Sequence, residues 1–223
     1  MARAARASYC DCHWRESRSV GEATVFVVDD DAAIRDALSL LISLRGLRAQ
    51  VFASAEHFLD TYRSEWRGCL LADLQMPGMS GLDLQAELKG RGIALPVIVL
   101  TAHGDVATAR AALKNGAVDF LEKPVDDAVL MDVLGNAIRL DAERHDAAHA
   151  RAESAERLAR LTPRERDVLR LLAQGQQLRE IAQQLEISPR TVEVYKARMM
   201  EKLGCRTLAD VVRAGSDLAG SGG

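Results

Sequence analysis

The chain has no apolar run approaching the ~20 residues that a membrane-crossing helix needs. Its first residues are polar and Arg-bearing with no apolar stretch behind them, so they do not read as a secretory signal. Cysteine is scarce. Four in 223 residues are too few for a disulfide scaffold and point to a reducing cytoplasm. No glycine-rich GxxxxGKS or GxxxxGKT loop is present, which argues against an ATPase. What remains is ordinary globular material: 48% hydrophobic residues, enough for proper cores, over a length that suits one large domain or two modest ones.

The net charge of −3 is an average over unlike parts. Residues 23–136 carry 10 basic against 16 acidic side chains, whereas residues 156–223 carry 12 basic against nine acidic. An acidic body is therefore joined to a mildly basic tail, and a basic module is an electrostatic footprint for nucleic acid.

In the acidic body, short apolar runs alternate with helical patterns. Strands are expected at 24–28, 48–53, 68–73, 96–101 and 118–122. Helices are expected from the residues after Asp31 up to Gly46, then at 55–65, 81–90 and 105–115, and from about 126 onward. This βα alternation predicts an α/β fold with an open parallel sheet covered on both faces. In such a sheet, ligands bind beyond the C-terminal strand ends. Asp29 and Asp30 end the first strand, Asp73 the third, Thr101 the fourth and Lys123 follows the fifth. Asp31 reads as a cap. Three carboxylates on one rim suit Mg²⁺, which takes oxygen ligands. Thr101 and Lys123 are placed to contact the oxygens of a phosphoryl group on the central carboxylate, a competent nucleophile once its charge is offset.

The segments Val27-Val28-Asp29-Asp30-Asp31, Leu71-Ala72-Asp73-Leu74-Gln75-Met76-Pro77-Gly78-Met79-Ser80-Gly81, Leu100-Thr101-Ala102-His103-Gly104 and Phe120-Leu121-Glu122-Lys123-Pro124 resemble the receiver domain of bacterial two-component response regulators. The resemblance implies a flavodoxin-like (βα)5 fold with Asp73 as phospho-acceptor. It implies that Asp30 binds Mg²⁺ directly, that Asp29 binds it mostly through water, and that the Gln75 carbonyl is a further ligand. Thr101 and Lys123 would hold the phosphoryl oxygens, and Phe120 would be the switching aromatic, a packed strand phenylalanine being the plainer reading. Related receivers dimerise through a face that here includes Val106, Arg110, Leu113 and Lys114.

From 139 to 157 there is no Gly, Pro or β-branched residue, and no leucine lies between Leu140 and Leu158. A solvated helical connector is expected rather than a coiled coil. A new module starts at Thr162-Pro163-Arg164-Glu165, a capping box with proline at the first helical position. Val168, Leu169, Leu171 and Leu172 make its first buried stripe, and a helix at 178–185 follows. The turn Glu186-Ile187-Ser188-Pro189 then starts another helix to about Leu203, the pattern of a helix-turn-helix. A last helix begins near Thr207. On the helix from Pro189, Val192, Met199 and Leu203 form the inner stripe. Glu193, Val194, Ala197 and Glu201 face away from it, flanked by Arg190, Lys196, Arg198 and Lys202. Such a helix suits the major groove, with basic residues on phosphates and the outward face on base edges.

This module is similar to the LuxR/NarL-type effector domain, and the whole chain resembles the FixJ subgroup of transcriptional activators, over about 24–214. By that resemblance Val194 faces the bases, Thr191 and the neighbouring basic residues touch the backbone, and the all-α four-helix domain pairs through its last helix. Tyr195 stands where many relatives have His, and Glu193 and Ala197 where some place base-contacting lysines. The expected organisation is a disordered extension over 1–23, a receiver over 24–138, a helical linker over 139–158 and a DNA-binding domain over 159–223. The expected function is a phosphorylation-controlled, cytoplasmic transcription regulator, not an enzyme in its output. Its partners would be a sensor histidine kinase, promoter DNA, RNA polymerase and a second copy of itself. Two alternatives stay open: a constitutive regulator with a vestigial receiver, and a metal-dependent phosphohydrolase using Asp73, for which Gln75 stands where a second carboxylate is wanted. Cys10, Cys12 and His13 read as part of the extension, with a redox or metal handle as the other possibility.

Overall fold

The structure, a computed structural model, describes residues 23–102, 106–207 and 209–214. Residues 1–22, with Cys10, Cys12 and His13, lie outside it, as do 103–105, 208 and 215–223. The chain divides into two compact units, and the division falls between His145 and Asp146.

The first unit holds β1 (Thr24–Val28), α1 (Ala32–Leu44), β2 (Arg48–Phe52), α2 (Ala55–Thr61), β3 (Gly68–Asp73), α3 (Gly81–Gly90), β4 (Val97–Thr101), α4 (Val106–Lys114) and β5 (Asp119–Glu122). Its strands form one parallel sheet in the order β2-β1-β3-β4-β5. The strand alternation sorts side chains into two cores. Phe26, Val28, Leu70, Ala72 and Val99 point to one face and meet Phe58 of α2 and Leu84 and Leu88 of α3. Val25, Val27, Leu71, Ile98 and Leu100 point to the other and meet Ile42 of α1 and, beyond β5, Leu130, Leu134 and Ile138. Burial on both faces is why the inner strands β1, β3 and β4 are largely apolar, whereas the edge strands β2 and β5 are mixed; each buried Leu, Ile or Phe contributes about 1.5–3 kcal/mol. Cys69 sits within the second core. Gly68, where β3 begins, has φ +128°, and a Cβ there would stand 2.0 Å from the Thr24 carbonyl oxygen, so only glycine lets β3 approach β1 at this end.

The helix expected at 55–65 ends earlier, at Thr61. Tyr62 is extended, with φ −54° and ψ 141°, and the chain turns so that Trp66 stacks on Phe26 at a centroid distance of 4.5 Å. Trp66 also joins Phe52, Phe58 and Tyr62 in one aromatic cluster. That packing outweighs the local helical pattern.

Helix α5 runs from Asp127 to Ala159, 33 residues and about 50 Å. Its first turns are buried by the second core. Further on it is exposed, with ion pairs four residues apart such as Arg139–Glu143 and Arg157–Glu153. Pairs of this kind add a few tenths of a kcal/mol each, roughly 0.3–0.5.

The second unit holds α6 (Pro163–Ala173), α7 (Leu178–Gln184) and α8 (Pro189–Leu203), with further helix over 209–214. Val168, Leu169, Leu171, Leu172, Ile181, Val192, Met199, Leu203 and Val211 form its core. Ser188 caps α8 by accepting the Thr191 N–H at 3.1 Å, and Gly204 closes it in the left-handed region at φ +69°.

Thr162 and Glu165 form the capping box of α6. Glu165 is 2% exposed and accepts both the Thr162 N–H, at 2.8 Å, and the Lys202 ammonium, at 2.6 Å. Burial pushes its carboxyl up, but the bonds from Lys202 and Thr162 outweigh burial and hold it below the ordinary value. A folded value below the unfolded one adds stability above pH ~4.3, and that stability is lost as pH falls through the folded value. Glu165→Gln, which keeps the cap acceptor and loses the ion pair, is expected to cost about 1 kcal/mol at neutral pH. Glu165→Ala, which loses both, is expected to cost about 2 kcal/mol. Thermal melts of the full chain check this: the gap between wild type and Glu165→Gln should close on acidification, and a gap independent of pH would refute the ion pair's role.

Candidate functional site

The strand rim gathers its polar groups because of register. Asp29 lies just past β1, Asp73 ends β3 and Thr101 ends β4, and the pairing of β1 with β3 and of β3 with β4 sets these ends side by side. Carboxylate oxygens of Asp29, Asp30 and Asp73 all lie within 4.8 Å of one another. Asp29 is 1% exposed and Asp73 7%, whereas Asp30 is open to solvent.

Lys123 reaches in from the end of β5. Its ammonium is 2.6 Å from Asp29 Oδ2 and 3.2 Å from Asp73 Oδ1. The Lys123 N–H donates to the Thr101 carbonyl at 2.7 Å, which ties the two strand ends together. Burial pushes the Asp73 carboxyl up, Lys123 and the Gln75 N–H pull it down, Asp29 pushes it up, and the balance lies above the ordinary value. Burial works against the Lys123 ammonium, but the bonds and charges of Asp29 and Asp73 outweigh it and raise its value. Three carboxylates against one ammonium leave a formal deficit of positive charge. Asp29, Asp30 and Asp73 therefore fit a hard divalent cation by donor type and by charge.

Thr101 is fully buried, and Phe120 is half-buried against the first core. Gln75 is exposed, and its backbone N–H is among the groups that draw the Asp73 carboxyl down. Asp31 caps α1 by accepting the Ala33 N–H at 2.8 Å, and its own N–H donates to Asp29 Oδ1 at 2.9 Å.

Several supports were not legible in the sequence pattern. Arg35 donates to the Asp29 carbonyl oxygen at 2.7 Å and fixes the turn after β1. Glu56 of α2 accepts the Met79 N–H at 3.0 Å and braces the loop after Asp73. Gly81 stands where a Cβ would lie 2.4 Å from the Asp73 carbonyl oxygen, so α3 can begin this close to Asp73 only with glycine there.

On α8, the buried Val192, Met199 and Leu203 fix the helix rotation and leave Arg190, Glu193, Val194, Ala197 and Arg198 exposed. Val194 is 43% exposed on this face. Lys196 and Thr191 lie half-buried on the flanks, and the Thr191 hydroxyl pairs with Ser188 Oγ at 2.8 Å. The Lys202 ammonium is engaged by Glu165, so this cation serves the α6 capping box. No helix among the described residues is long and apolar enough to cross a membrane.

Residues 25–135 match the response regulator receiver domain, and residues 159–214 match the bacterial regulatory proteins of the luxR family. The transcriptional regulatory protein FixJ of Azorhizobium caulinodans is 46% identical over 189 residues, covering 85% of this chain and 90% of the relative. The transcriptional regulatory protein TdiR of Thauera aromatica is 40% identical over 190 residues, covering 85% and 84%. Among solved structures, the response regulator StyR superposes with a TM-score of 0.81 at 38% identity, covering 87% of this chain and 98% of that one. Full-length FixJ from B. japonicum gives 0.55 at 38% identity, covering 89% and 98%.

An acidic rim on a five-stranded parallel sheet, followed by a helix-turn-helix unit, defines a two-component response regulator whose output is transcriptional. Within that class the chain belongs to the FixJ-type regulators, with a receiver domain and a LuxR-type DNA-binding domain. A receiver implies a sensor kinase as partner, and a LuxR-type domain implies DNA.

Proposed function

We propose that the chain is a cytoplasmic, phosphorylation-activated transcription activator, with Asp73 as the phosphoryl acceptor. The observation that carries this reading is the meeting of Asp29, Asp30, Asp73 and Lys123 on one rim of the sheet. Asp29, Asp30 and Asp73, with the Gln75 carbonyl, would hold Mg²⁺, which supplies positive charge against that of the incoming phosphoryl group. Asp73 attacks the phosphorus of the kinase's phospho-His: an O–P bond forms, the N–P bond breaks, and the histidine nitrogen keeps the electron pair. Lys123, already between Asp29 and Asp73, takes one phosphoryl oxygen, and the Thr101 hydroxyl takes another. Inward movement of Thr101 gives Phe120 room to turn, and the surface of α4 and β5 is remodelled.

That surface exposes Val106 and Leu113 beside Arg110 and Lys114, polarity suited to reversible pairing of two copies. Pairing brings two α8 helices to one DNA site, and one weakly basic module gains the avidity it lacks alone. RNA polymerase is the partner of the DNA-bound dimer. The receiver's own chemistry, phospho-Asp formation and slow self-dephosphorylation, serves this switch.

The test uses the full chain with acetyl phosphate and Mg²⁺. Sedimentation is expected to shift from monomer to dimer, and affinity for a selected operator to rise about ten-fold or more. Unchanged sedimentation and affinity in a sample that carries phosphoryl on Asp73 would refute phospho-activation.

A further inference from the structure

The geometry points to Glu193 as a specificity-determining residue of α8, one that accepts a hydrogen bond from the exocyclic amine of a cytosine in the major groove. This rests on the DNA-binding reading above. Arg190, Glu193, Val194 and Ala197 occupy successive turns of one exposed face, opposite the buried Val192 and Met199. Glu193 lies in the N-terminal part of α8, the part that meets base edges when such a helix enters a groove.

Of the other carboxylates near this surface, Glu186 lies in the turn before α8, outside the helix, and three more are differently placed. Glu165 is bound to Lys202, and Glu180 accepts the Gln177 N–H at 2.8 Å. Glu201 is on the same helix but eight residues on, about 12 Å further along the axis. Glu193 alone in that N-terminal part is a carboxylate, and it has no cation within 4.0 Å among the described residues.

A bare carboxylate on a face that approaches a polyanion is unfavourable unless it finds a donor, because it only accepts hydrogen bonds. Phosphate oxygens, guanine O6 and N7, and thymine O4 are acceptors and repel it. Two base-edge donors remain, cytosine N4 and adenine N6. Adenine N6 stands beside the acceptor N7, which opposes the second carboxylate oxygen; cytosine carries no such acceptor on its own groove edge. Glu193 thus attracts one base and penalises the others, which is how a negative charge in a DNA-reading helix can serve selection. The positive charge that holds the backbone comes from its neighbours Arg190, Lys196 and Arg198.

The experiment selects binding sites from random duplexes with the full chain, treated with acetyl phosphate and Mg²⁺, as wild type, Glu193→Gln, Glu193→Ala and Arg190→Ala. The wild type is expected to enrich one cytosine position per half-site, preferred about ten-fold or more. Glu193→Gln is expected to turn that position to adenine, since a Gln amide both donates to N7 and accepts from N6. Glu193→Ala should lose preference there and keep the rest of the motif. Arg190→Ala should weaken all sites alike and lower the slope of log affinity against log salt by about one. Glu193 is exposed, so its variants should melt with the wild type. If both Glu193 variants retain the wild-type motif at every position, this inference is overturned while DNA binding stands. If the wild type retains duplexes but enriches no motif, this inference is overturned while DNA binding stands; if it retains no duplex at all, the DNA-binding reading falls and this one with it.

Discussion

Asp73→Asn is expected to abolish phosphoryl uptake from acetyl phosphate, a loss of more than about 100-fold in labelling rate, while leaving the receiver folded. The amide matches the carboxylate in shape and volume but offers no nucleophilic oxygen anion. Folding should survive because the Asp73 charge is held at a cost: burial pushes its carboxyl above the ordinary value despite Lys123 and the Gln75 N–H. A neutral amide sheds that cost and also loses attraction to Lys123, so the two changes partly cancel, to within about 1 kcal/mol. Lys123 keeps Asp29 Oδ2 at 2.6 Å. The shift to dimer and the gain in operator affinity should be lost together with labelling. Intact-mass spectrometry after acetyl phosphate treatment checks the first effect, and sedimentation the second. Phosphoryl found on Asp73→Asn protein would place the acceptor elsewhere. Wild-type operator affinity in the absence of labelling would favour a constitutive regulator.

What was legible in the sequence is what depends on local period and local chemistry. The alternation in Val25, Phe26, Val27 and Val28 feeds two different cores, so a doubly covered strand follows from residue type alone. The rim positions of Asp29, Asp73, Thr101 and Lys123 follow from where each apolar run stops. The capping box at Thr162–Glu165 and the Ser188-Pro189 start of α8 are short-range devices and were equally plain. What escaped depends on distance through space. The early end of α2 is set by Trp66 finding Phe26, forty residues earlier in sequence, across the sheet face. Asp141 of α5 accepts the Gly68 N–H at 2.8 Å, 73 residues away. Lys202 looked like one more cation on a basic helix until Glu165, 37 residues back, claimed it. Local periodicity carries no information about such partners, because they are chosen by how elements pack and not by their own sequence.

Lys123→Met is expected to separate the two tasks of the rim, holding charge and handling phosphoryl. In the wild type the Lys123 ammonium lies within reach of Asp29, which is almost wholly buried, and of Asp73. Methionine keeps much of the stem and removes the charge, leaving three carboxylates with no cation between them. Breaking a buried pair from one side costs about 3 kcal/mol, the low end of its usual range because Asp30 opens the rim to water. The loss should depend on pH in a definite direction. Asp73 already sits above its ordinary value through burial, and the variant also lacks the Lys123 charge and hydrogen bond that pull it down. A carboxyl raised in the folded state is stabilised by protonation, so the variant should lose stability as pH rises past the unfolded value of ~3.9 toward the raised one. Mg²⁺ should reverse the loss. The cluster's formal charge becomes more negative by one, so the cation binds the variant more tightly and raises its melting temperature by more than it raises the wild type's. Phosphoryl handling should not return with the cation: the variant is expected to be stable in Mg²⁺, to show no acetyl phosphate-dependent dimer, and to bind its operator as the unphosphorylated wild type does. Melts with and without Mg²⁺, beside sedimentation after acetyl phosphate, read both tasks. Equal Mg²⁺ shifts in wild type and variant would refute the charge account of the site, and a normal phospho-dependent dimer in the variant would remove Lys123 from phosphoryl contact.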